Sequence, residues 1–281
     1  MTIQNKLTKQ NSPSKIPNAQ VREESSERNT TWVSHHTYLQ QKYKQGISIY
    51  SVSHFIDFGQ VVQLGSGTTL NALMSTVIDY QKTQRKPLDL TILTTNLEIA
   101  QMGKEAAEND PKVFGSTQVI ITGGILLPSL NSLVGNYAAD NVRSHLIDPD
   151  IVFLGVAGIS FEPPNGRITY HFDQELKTQE SYATRPTRKR IVLCDHTKLG
   201  RSTRWRAEAS VKSLAQNTEE KCTILSSYPD KSDKQFSELE EVIAKQKEMF
   251  KGLIDSWDDV GEKLSLLFVN TKGEVIEEIS K

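Results

Sequence analysis

Short apolar runs recur along the chain, and small-residue loops follow most of them. The first run is Val61–Leu64, followed by Gly65–Thr69 and then by apolar residues at helical spacing. That spacing, i, i+3, i+4, i+7 and i+8, predicts a helix with one buried face. Its members are Leu70, Leu73, Met74, Val77 and Ile78. The further predicted strands are residues 90–93, 119–121, 151–154, 191–194 and 222–225.

These predicted strands are continuously apolar and do not alternate with polar residues. Continuous runs indicate strands buried on both faces, as in a parallel sheet covered by helices. Strand–loop–helix order predicts right-handed crossovers and an α/β fold with a doubly wound, mostly parallel sheet. Ligands of such sheets bind beyond the carboxyl ends of the strands, where Gly, Thr, Asn and Asp collect in this chain.

The two ends of the chain differ from this middle part. Residues 1–31 are polar and carry few apolar residues, so we expect a disordered tail there. Residues 32–281 are predicted to form one domain, entered through one or two amphipathic helices. Its C-terminal extension is a long charged helix around residues 235–257 and a strand or hairpin over 264–276, turning at Lys272-Gly273.

Composition narrows the classes of function. The net charge of −1 gives no global attraction to nucleic acid or membranes. Two cysteines, Cys194 and Cys222, build neither a disulfide scaffold nor a zinc site, and the pair His35-His36 lacks the spaced partners of a metal site. No apolar run approaches the roughly 18 residues of a membrane span. We therefore expect a cytoplasmic protein without a metal, a cofactor or a membrane partner.

The loop Gly65–Thr69, called the cradle loop below, carries the strongest chemical signal. A strand that enters a helix through such a loop directs backbone N–H groups and the positive helix end at one point. Gly67 allows close approach of an anion, and Ser66, Thr68 and Thr69 add hydroxyl groups. This chemistry suits a phosphate monoester. The alternative is a plain tight turn with a capping threonine, and the loop matches neither the P-loop nor the dinucleotide fingerprint.

Other strand ends offer weaker candidates. Thr95 and Asn96 follow the second strand, and Gly123-Gly124 follow the third; each pair is also explained as a cap or a turn. Asp195 and Lys198 follow the fifth strand, where they fit either a sugar phosphate or a simple ion pair.

Two charged segments leave their roles open. Asp173, Glu175 and Lys177 fit acid–base catalysis and, equally, a solvated first helical turn. The basic stretch 185–206 fits a solvated surface or a field for an anionic ligand, with DNA contact as the third possibility.

Five segments in order resemble the C-terminal effector domain of DeoR/GlpR-family transcriptional regulators. They are VVQLGSGTT, LTILTTNLEIA, VIITGGILLPSLNSLVGNYA, DIVFLGVAGIS and KRIVLCDHTKLGR. The resemblance implies a fold shared with ribose-phosphate isomerases and CoA transferases, a phosphorylated sugar as inducer, and self-association. It implies that Ser66, Gly67, Thr68 and Thr69 hold the phosphate. It also implies that the residues around the sugar are Thr95, Asn96, Gly123, Gly124, Lys177, Asp195 and Lys198.

The chain departs from that family at its beginning. Residues 1–31 are too polar for the winged helix-turn-helix of family members, so we expect no DNA-binding head and no direct DNA binding. Leu64 stands where family members commonly carry Asp, which is a second departure from the family pattern. The sequence signatures of the isomerases are also absent. A sugar-phosphate sensor is therefore our first hypothesis. An isomerase-like enzyme using Asp173, Glu175 or Asp195 as base is the alternative, and a structural interaction protein is the third.

Overall fold

The computed structural model describes the backbone of residues 26–144 and 147–281, and side chains from residue 40 onward except at 145 and 146. The predicted tail lies outside the described residues as far as residue 25, and the first helix begins at Ser26. The compact unit considered below spans Leu39–Lys281. The α-helices are α1 Ser26–Phe55, α2 Thr68–Gln84, α3 Leu97–Asn109, α4 Pro111–Phe114, α5 Asn136–Ser144, α6 Asp173–Thr184, α7 Val211–Gln216 and α8 Phe236–Asp255.

Thirteen strands are present in the described residues. They are β1 Val61–Leu64, β2 Thr91–Thr94, β3 Gln118–Ile121, β4 Ile125–Leu127, β5 Ser132–Val134, β6 Ile151–Gly155, β7 Gly158–Ser160, β8 Arg167–Tyr170, β9 Thr187–Cys194, β10 Trp205–Arg206, β11 Thr218–Ser227, β12 Leu264–Val269 and β13 Val275–Ser280. Each strand predicted from an apolar run corresponds to one of them.

The main sheet has eight strands in the order β13-β12-β11-β9-β6-β1-β2-β3. All neighbouring pairs are parallel except β12 and β13, which form an antiparallel hairpin. The predicted doubly wound, mostly parallel α/β fold is therefore confirmed. The chain winds from β1 outward to β3 and then returns to β6 on the other side of β1. The switch point of the topology consequently lies between β1 and β6.

Both faces of this sheet are covered by apolar cores. Along β6, Ile151 and Phe153 belong to one core, together with residues of α1, α2 and α3. Val152 and Leu154 belong to the other, together with residues of α6, α7 and α8. Successive side chains of a strand point to opposite faces, so a strand between two cores must be apolar at every position. This explains why the strands read as continuous apolar runs.

Smaller strands were not predicted from the sequence. The strands β4 and β5 form a hairpin, and β7, β8 and β10 form a separate antiparallel sheet. They have two to four residues each, too few for a periodicity to identify them. They nevertheless supply one side of the site described below.

The basic stretch 185–206 contains a buried arginine, which corrects the expectation that this stretch is solvated or faces a ligand throughout. Arg190 is fully buried, and burial lowers its pKa to about 10. Its Nη1 donates to the carbonyl oxygens of Leu214 and Asn217 at 2.7 and 3.0 Å, and to Thr218 Oγ1 at 2.7 Å. Arg190 therefore joins β9 to the end of α7 and the start of β11.

Candidate functional site

A cleft of about 280 Å³ opens beyond the carboxyl ends of β1 and β6, at the switch point of the sheet. Ligands of open α/β sheets bind at such a point. One side of the cleft is formed by Ser66–Asn71, and its base is formed by Gly155–Ala157. The rest of the lining comes from the turn Pro128–Asn131 and from Tyr170, His171 and Glu175, together with Glu98 and Lys198.

The cradle loop leads from β1 directly into α2. Gly67 precedes the first helical residue with φ 121° and ψ 157°, a conformation that is essentially restricted to glycine. No side chain caps the N-terminus of α2. In its first turn, the N–H groups of Leu70 and Asn71 donate to the Gly67 carbonyl oxygen at 3.0 and 3.1 Å. Those of Thr68 and Thr69 have no acceptor within the helix and carry its positive dipole end. An anion in the cleft would meet both, which makes this helix end a suitable phosphate position.

Two residues of the cleft lining carry buried hydroxyl groups that have no partner among the described residues. Thr69 and Tyr170 are each 2% exposed, and neither Thr69 Oγ1 nor the Tyr170 hydroxyl forms a hydrogen bond there. Buried polar groups almost always have a partner in protein or water. Burial also raises the pKa of Tyr170, so its hydroxyl keeps the proton and can donate it. A ligand with acceptor oxygens would satisfy both hydroxyl groups.

A hydrogen bond from α6 fixes the side chain of Ser66. Gln179 Nε2 donates to Ser66 Oγ at 2.6 Å. Because the amide is the donor, the proton of the Ser66 hydroxyl remains available for an acceptor in the cleft. The amide oxygen of Gln179 is itself buried without a partner among the described residues.

Two lysines bring positive charge to the cradle loop. Lys198 Nζ lies 3.9 Å from Asp195 Oδ2. Burial alone would raise the pKa of Asp195, but Lys198 and the bonded Thr197 outweigh it, so the pKa is lowered and the carboxylate stays charged. Lys44 of α1, which the sequence did not identify, donates from Nζ to Thr68 Oγ1 at 2.8 Å.

Two further carboxylates, Glu175 and Glu98, belong to the cleft lining. Glu175 is buried, and burial raises its pKa even though its Oε2 accepts the backbone N–H groups of His171 and Phe172 at 3.0 Å each. Glu98 Oε2 accepts from Asn71 Nδ2 at 2.6 Å. These groups can accept hydrogen bonds from ligand hydroxyls.

Thr95 and Asn96 support the cleft without lining it. Asn96 Oδ1 accepts from the N–H of Glu98 at 3.0 Å and so caps α3, while its Nδ2 donates to Asn71 Oδ1 at 2.7 Å. Thr95 Oγ1 accepts from the Tyr182 hydroxyl at 3.2 Å. Both residues therefore position neighbours, and Asn71 is the cleft-lining residue that Asn96 holds.

Gly123, Gly124 and Lys177 are not brought to the cleft. The strand β3 lies at the edge of the main sheet and continues into the β4–β5 hairpin, so the glycines lie beside α5. Lys177 is exposed, and its Nζ lies 3.7 Å from Glu180 and 3.6 Å from Glu208. Any ligand role for these three residues stays a prediction.

Among the side chains of residues 40–144 and 147–281, no three of His, Cys, Asp or Glu come together as a metal ion would require. None of the described helices is both long enough and apolar enough to cross a membrane.

The comparisons with known proteins identify the family. Residues 40–213, more than half of the chain, match the model described as the DeoR C terminal sensor domain. The chain belongs to the DeoR sensor-domain family. The match begins in α1 and includes the cradle loop, Glu175 and Lys198. No curated protein matches the chain.

Solved structures similar to this DeoR sensor domain include ribose 5-phosphate isomerase from Plasmodium falciparum, with 13% identity and a TM-score of 0.38 over 56% of this chain and 52% of that one. Ribose 5-phosphate isomerase A from Methanocaldococcus jannaschii has 17% identity and a TM-score of 0.36 over 56% and 53%. The eIF2B delta protein from Chaetomium thermophilum has 14% identity and a TM-score of 0.35 over 66% and 59%. The chain thus spans about half the length of these isomerases.

Proposed function

We propose that this DeoR sensor domain binds a phosphorylated sugar and reports its presence as the sensor of a DeoR-like transcriptional regulator. The observation that carries the proposal is the uncapped N-terminus of α2, whose buried Thr69 hydroxyl has no partner among the described residues. A helix end, free hydroxyls and nearby ammonium groups together match a phosphate monoester, which carries a charge near −2 at neutral pH.

The size and polarity of the cleft support a small sugar on that phosphate. Its volume of about 280 Å³ lies near the lower end of small-molecule sites, which run from about 300 to 1,000 Å³. The rest of the lining includes Glu175, Tyr170 and Asn131. Carboxylates accept from sugar hydroxyls, whereas tyrosine and amide groups can also donate to them. Such a mixture suits a polyol.

A thermal-shift panel tests the proposal, since a ligand that binds only the folded state raises the melting temperature. We expect shifts with phosphorylated five- and six-carbon sugars and none with the unphosphorylated parents. The double variant Thr68→Ala/Thr69→Ala should lose the shifts. Thr76→Ala is the matched control, because Thr76 lies farther along α2 and bonds only to Ala72 O. Absence of any shift across the panel would contradict the proposal.

One observation favours the second candidate, an isomerase-like enzyme. Glu175 lines the cleft with a raised pKa, as a general base for proton transfer would require. Of the other bases considered, Asp173 is exposed and Asp195 is paired with Lys198. Conversion between aldose and ketose phosphates that Glu175→Gln abolishes would establish the enzyme. A bound phosphate ester recovered unchanged after long incubation would exclude it.

Two further expectations stay predictions. The lack of a DNA-binding head concerns residues that lie largely outside the described part of the chain. The surface that we propose for self-association lies near the β3 edge, where Ile121, Ile125, Leu126 and Tyr137 are exposed. Exposed apolar patches of this kind often mark protein contacts. Sedimentation at micromolar concentration tests this, and a monomeric mass would contradict it.

A further inference from the structure

The cradle loop receives a contact from α1, a helix distant from it in sequence. Lys44 Nζ donates to Thr68 Oγ1 at 2.8 Å across a separation of 24 residues. We propose that Lys44 is a positioning residue of the phosphate site, which directs the hydroxyl proton of Thr68 into the cleft toward the bound phosphate. The inference rests on the function proposed above.

The chemistry of the two groups determines the direction of this proton. An ammonium group only donates, whereas a threonine hydroxyl has one proton and two lone pairs. When Lys44 occupies a lone pair of Thr68 Oγ1, the hydroxyl proton must point elsewhere. Thr68 is exposed and lines the cleft. Its proton is therefore available to an acceptor in the cleft, and a phosphate oxygen at the α2 N-terminus is such an acceptor.

Tyr43 fixes the position of α1 one residue before Lys44. Its ring packs edge-on against His196, with the ring centroids 4.5 Å apart. Its hydroxyl accepts from the N–H of Asp230 at 2.8 Å and bonds to the carboxylate of Asp233. This part of α1 is consequently joined to the loop after β9 and to the segment between β11 and α8.

Gly46, three residues after Tyr43, fixes the same face of the helix. A Cβ atom on Gly46 would lie 2.1 Å from the carbonyl oxygen of Asn270, in the turn between β12 and β13. The two backbones therefore touch, and only glycine permits this approach. With Tyr43 and Gly46 both held, the direction of the Lys44 side chain follows from the packing of α1.

The surroundings of Lys44 favour contact with an anion. Its side chain is half-buried, and burial lowers its pKa, while Asp195 opposes and Lys198 reinforces that effect. Lys44 forms no ion pair with the described side chains, whereas Lys42 on the same helix pairs with Asp233 at 3.4 Å. A phosphate bound beside Thr68 would supply the negative charge that Lys44 lacks. Lys42, already paired, is the matched control.

A double-mutant cycle separates positioning from simple charge attraction. The variants are Lys44→Met, Thr68→Val and their combination, with Lys42→Met as control and Lys44→Arg to restore a donor. Affinity for ribose 5-phosphate and for inorganic phosphate is measured by isothermal titration. Thermal unfolding without ligand shows whether each variant is folded, and ribose serves as the unphosphorylated probe.

We expect Lys44→Met and Thr68→Val each to weaken phosphate binding roughly tenfold, the effect of losing a hydrogen bond to a charged group. The combined variant should be little weaker than either, while Lys42→Met stays within about twofold. Lys44→Arg should recover most of the affinity. If the two effects instead multiply, Lys44 acts independently of Thr68 and the proposal is wrong.

Different results would contradict the proposed function and the proposed role of Lys44. Wild-type protein that binds neither probe contradicts the proposed function itself. Wild-type protein that binds ribose 5-phosphate, while Lys44→Met binds it equally well, leaves the function intact and overturns only the role of Lys44. If Lys44→Met does not fold, the comparison of Lys44→Arg with Thr68→Val decides, because an arginine that retains full affinity supports the donor role and one that loses it contradicts it.

Discussion

The two walls of the cleft differ in how their residues come together. The cradle wall consists of the cradle loop, which follows the strand β1 of the main sheet. The outer wall consists of Pro128–Asn131, Tyr170, His171 and Glu175, which belong to the β4–β5 hairpin, the small sheet and the start of α6. The cradle wall is built on the buried parallel sheet, and the outer wall on short antiparallel strands.

This difference indicates that the two walls have different roles in ligand binding. The cradle wall offers groups with fixed directions and positive charge, namely the α2 N-terminus and the Lys44 ammonium group that donates to Thr68. The outer wall offers Glu175 and Tyr170, which are suited to hydroxyl groups. We infer that the cradle wall sets affinity for phosphate and that the outer wall selects the sugar. Four substitutions test this division, from the largest expected effect to the smallest.

Gly67→Ala should remove phosphate binding almost completely. A side chain at φ 121° costs about 1–3 kcal/mol, which the loop can avoid only by turning its N–H groups away from the cleft. The added Cβ itself meets no atom within 4 Å, so the effect is conformational. Titration with ribose 5-phosphate should show a loss of roughly 100-fold or more, which equals about 2.7 kcal/mol.

Gly59→Ala is the control for this change. Gly59 also has positive φ, 76°, and equally open surroundings, but it lies in the turn before β1, away from the cleft. It should lose some stability and retain full phosphate affinity. Equal loss of binding in both variants would show that general loop strain, and not the geometry of the cradle loop, explains the result.

Thr69→Val should separate stability from binding. The variant removes a buried hydroxyl that has no partner among the described residues, so the free energy of unfolding without ligand should stay equal or rise slightly. Affinity for phosphate esters should fall roughly tenfold, as expected for one lost hydrogen bond to a charged group. Chemical denaturation and titration of the same protein samples measure both quantities.

Thr94→Val provides the contrasting control. The Thr94 hydroxyl donates to Leu64 O at 2.8 Å and accepts from the N–H of Asn96 at 3.0 Å. Its loss should destabilise the free protein by about 1–3 kcal/mol. If Thr69→Val destabilises the free protein as much as Thr94→Val does, the Thr69 hydroxyl has a structural partner and is not reserved for a ligand.

Glu175→Gln tests the outer wall through pH. Burial raises the pKa of Glu175, so the folded state holds this proton more tightly than the unfolded state. The resulting stabilisation is complete below the ordinary pKa of 4.5 and is lost as pH rises through the raised value. The glutamine variant cannot lose a proton there, so its stability relative to wild type should increase across that window. Urea unfolding at several pH values measures the difference, and a pH-independent difference would contradict the assignment.

Lys177→Met should have the smallest effect. Lys177 is exposed, lies outside the cleft lining, and forms ion pairs with the buried Glu180 at 3.7 Å and the exposed Glu208 at 3.6 Å. Affinity for ribose 5-phosphate should stay within about twofold, whereas Lys198→Met should lose more than about tenfold as a charged hydrogen-bonding group is removed. A large effect at Lys177 would restore the role that the family resemblance implies for it.

The residues of the two walls also differ in how well the sequence predicted them. The cradle wall was predicted because local patterns determine it: Val61–Leu64 is an apolar run, the residues after it have helical spacing, and the loop between them is rich in small residues. Tyr170 on the outer wall was missed because β8 has only four residues, mixes polar with apolar positions and pairs only with the equally short β7 and β10 among the described strands. Lys44 was missed for a related reason, since nothing near it in sequence indicates that α1 packs beside the cradle loop.

Gly123 and Gly124 were predicted from a similar pattern but lie outside the lining of the described cleft. They follow an apolar strand just as the cradle loop does, so the sequence placed them at the same edge of the sheet. Strand order decides which of these edges meet the ligand, and β3 is the outermost strand. The order of strands depends on long-range packing, which local patterns do not determine.

The central claim is that the cradle loop binds the phosphate of a phosphorylated sugar. The most direct test is a two-dimensional ¹H–¹⁵N NMR titration with ribose 5-phosphate and, separately, with ribose. The account predicts that the largest amide shifts occur at Gly67, Thr68 and Thr69, that they saturate with ribose 5-phosphate, and that ribose leaves them unchanged. Saturating shifts elsewhere on the protein, or equal shifts with ribose, would contradict it.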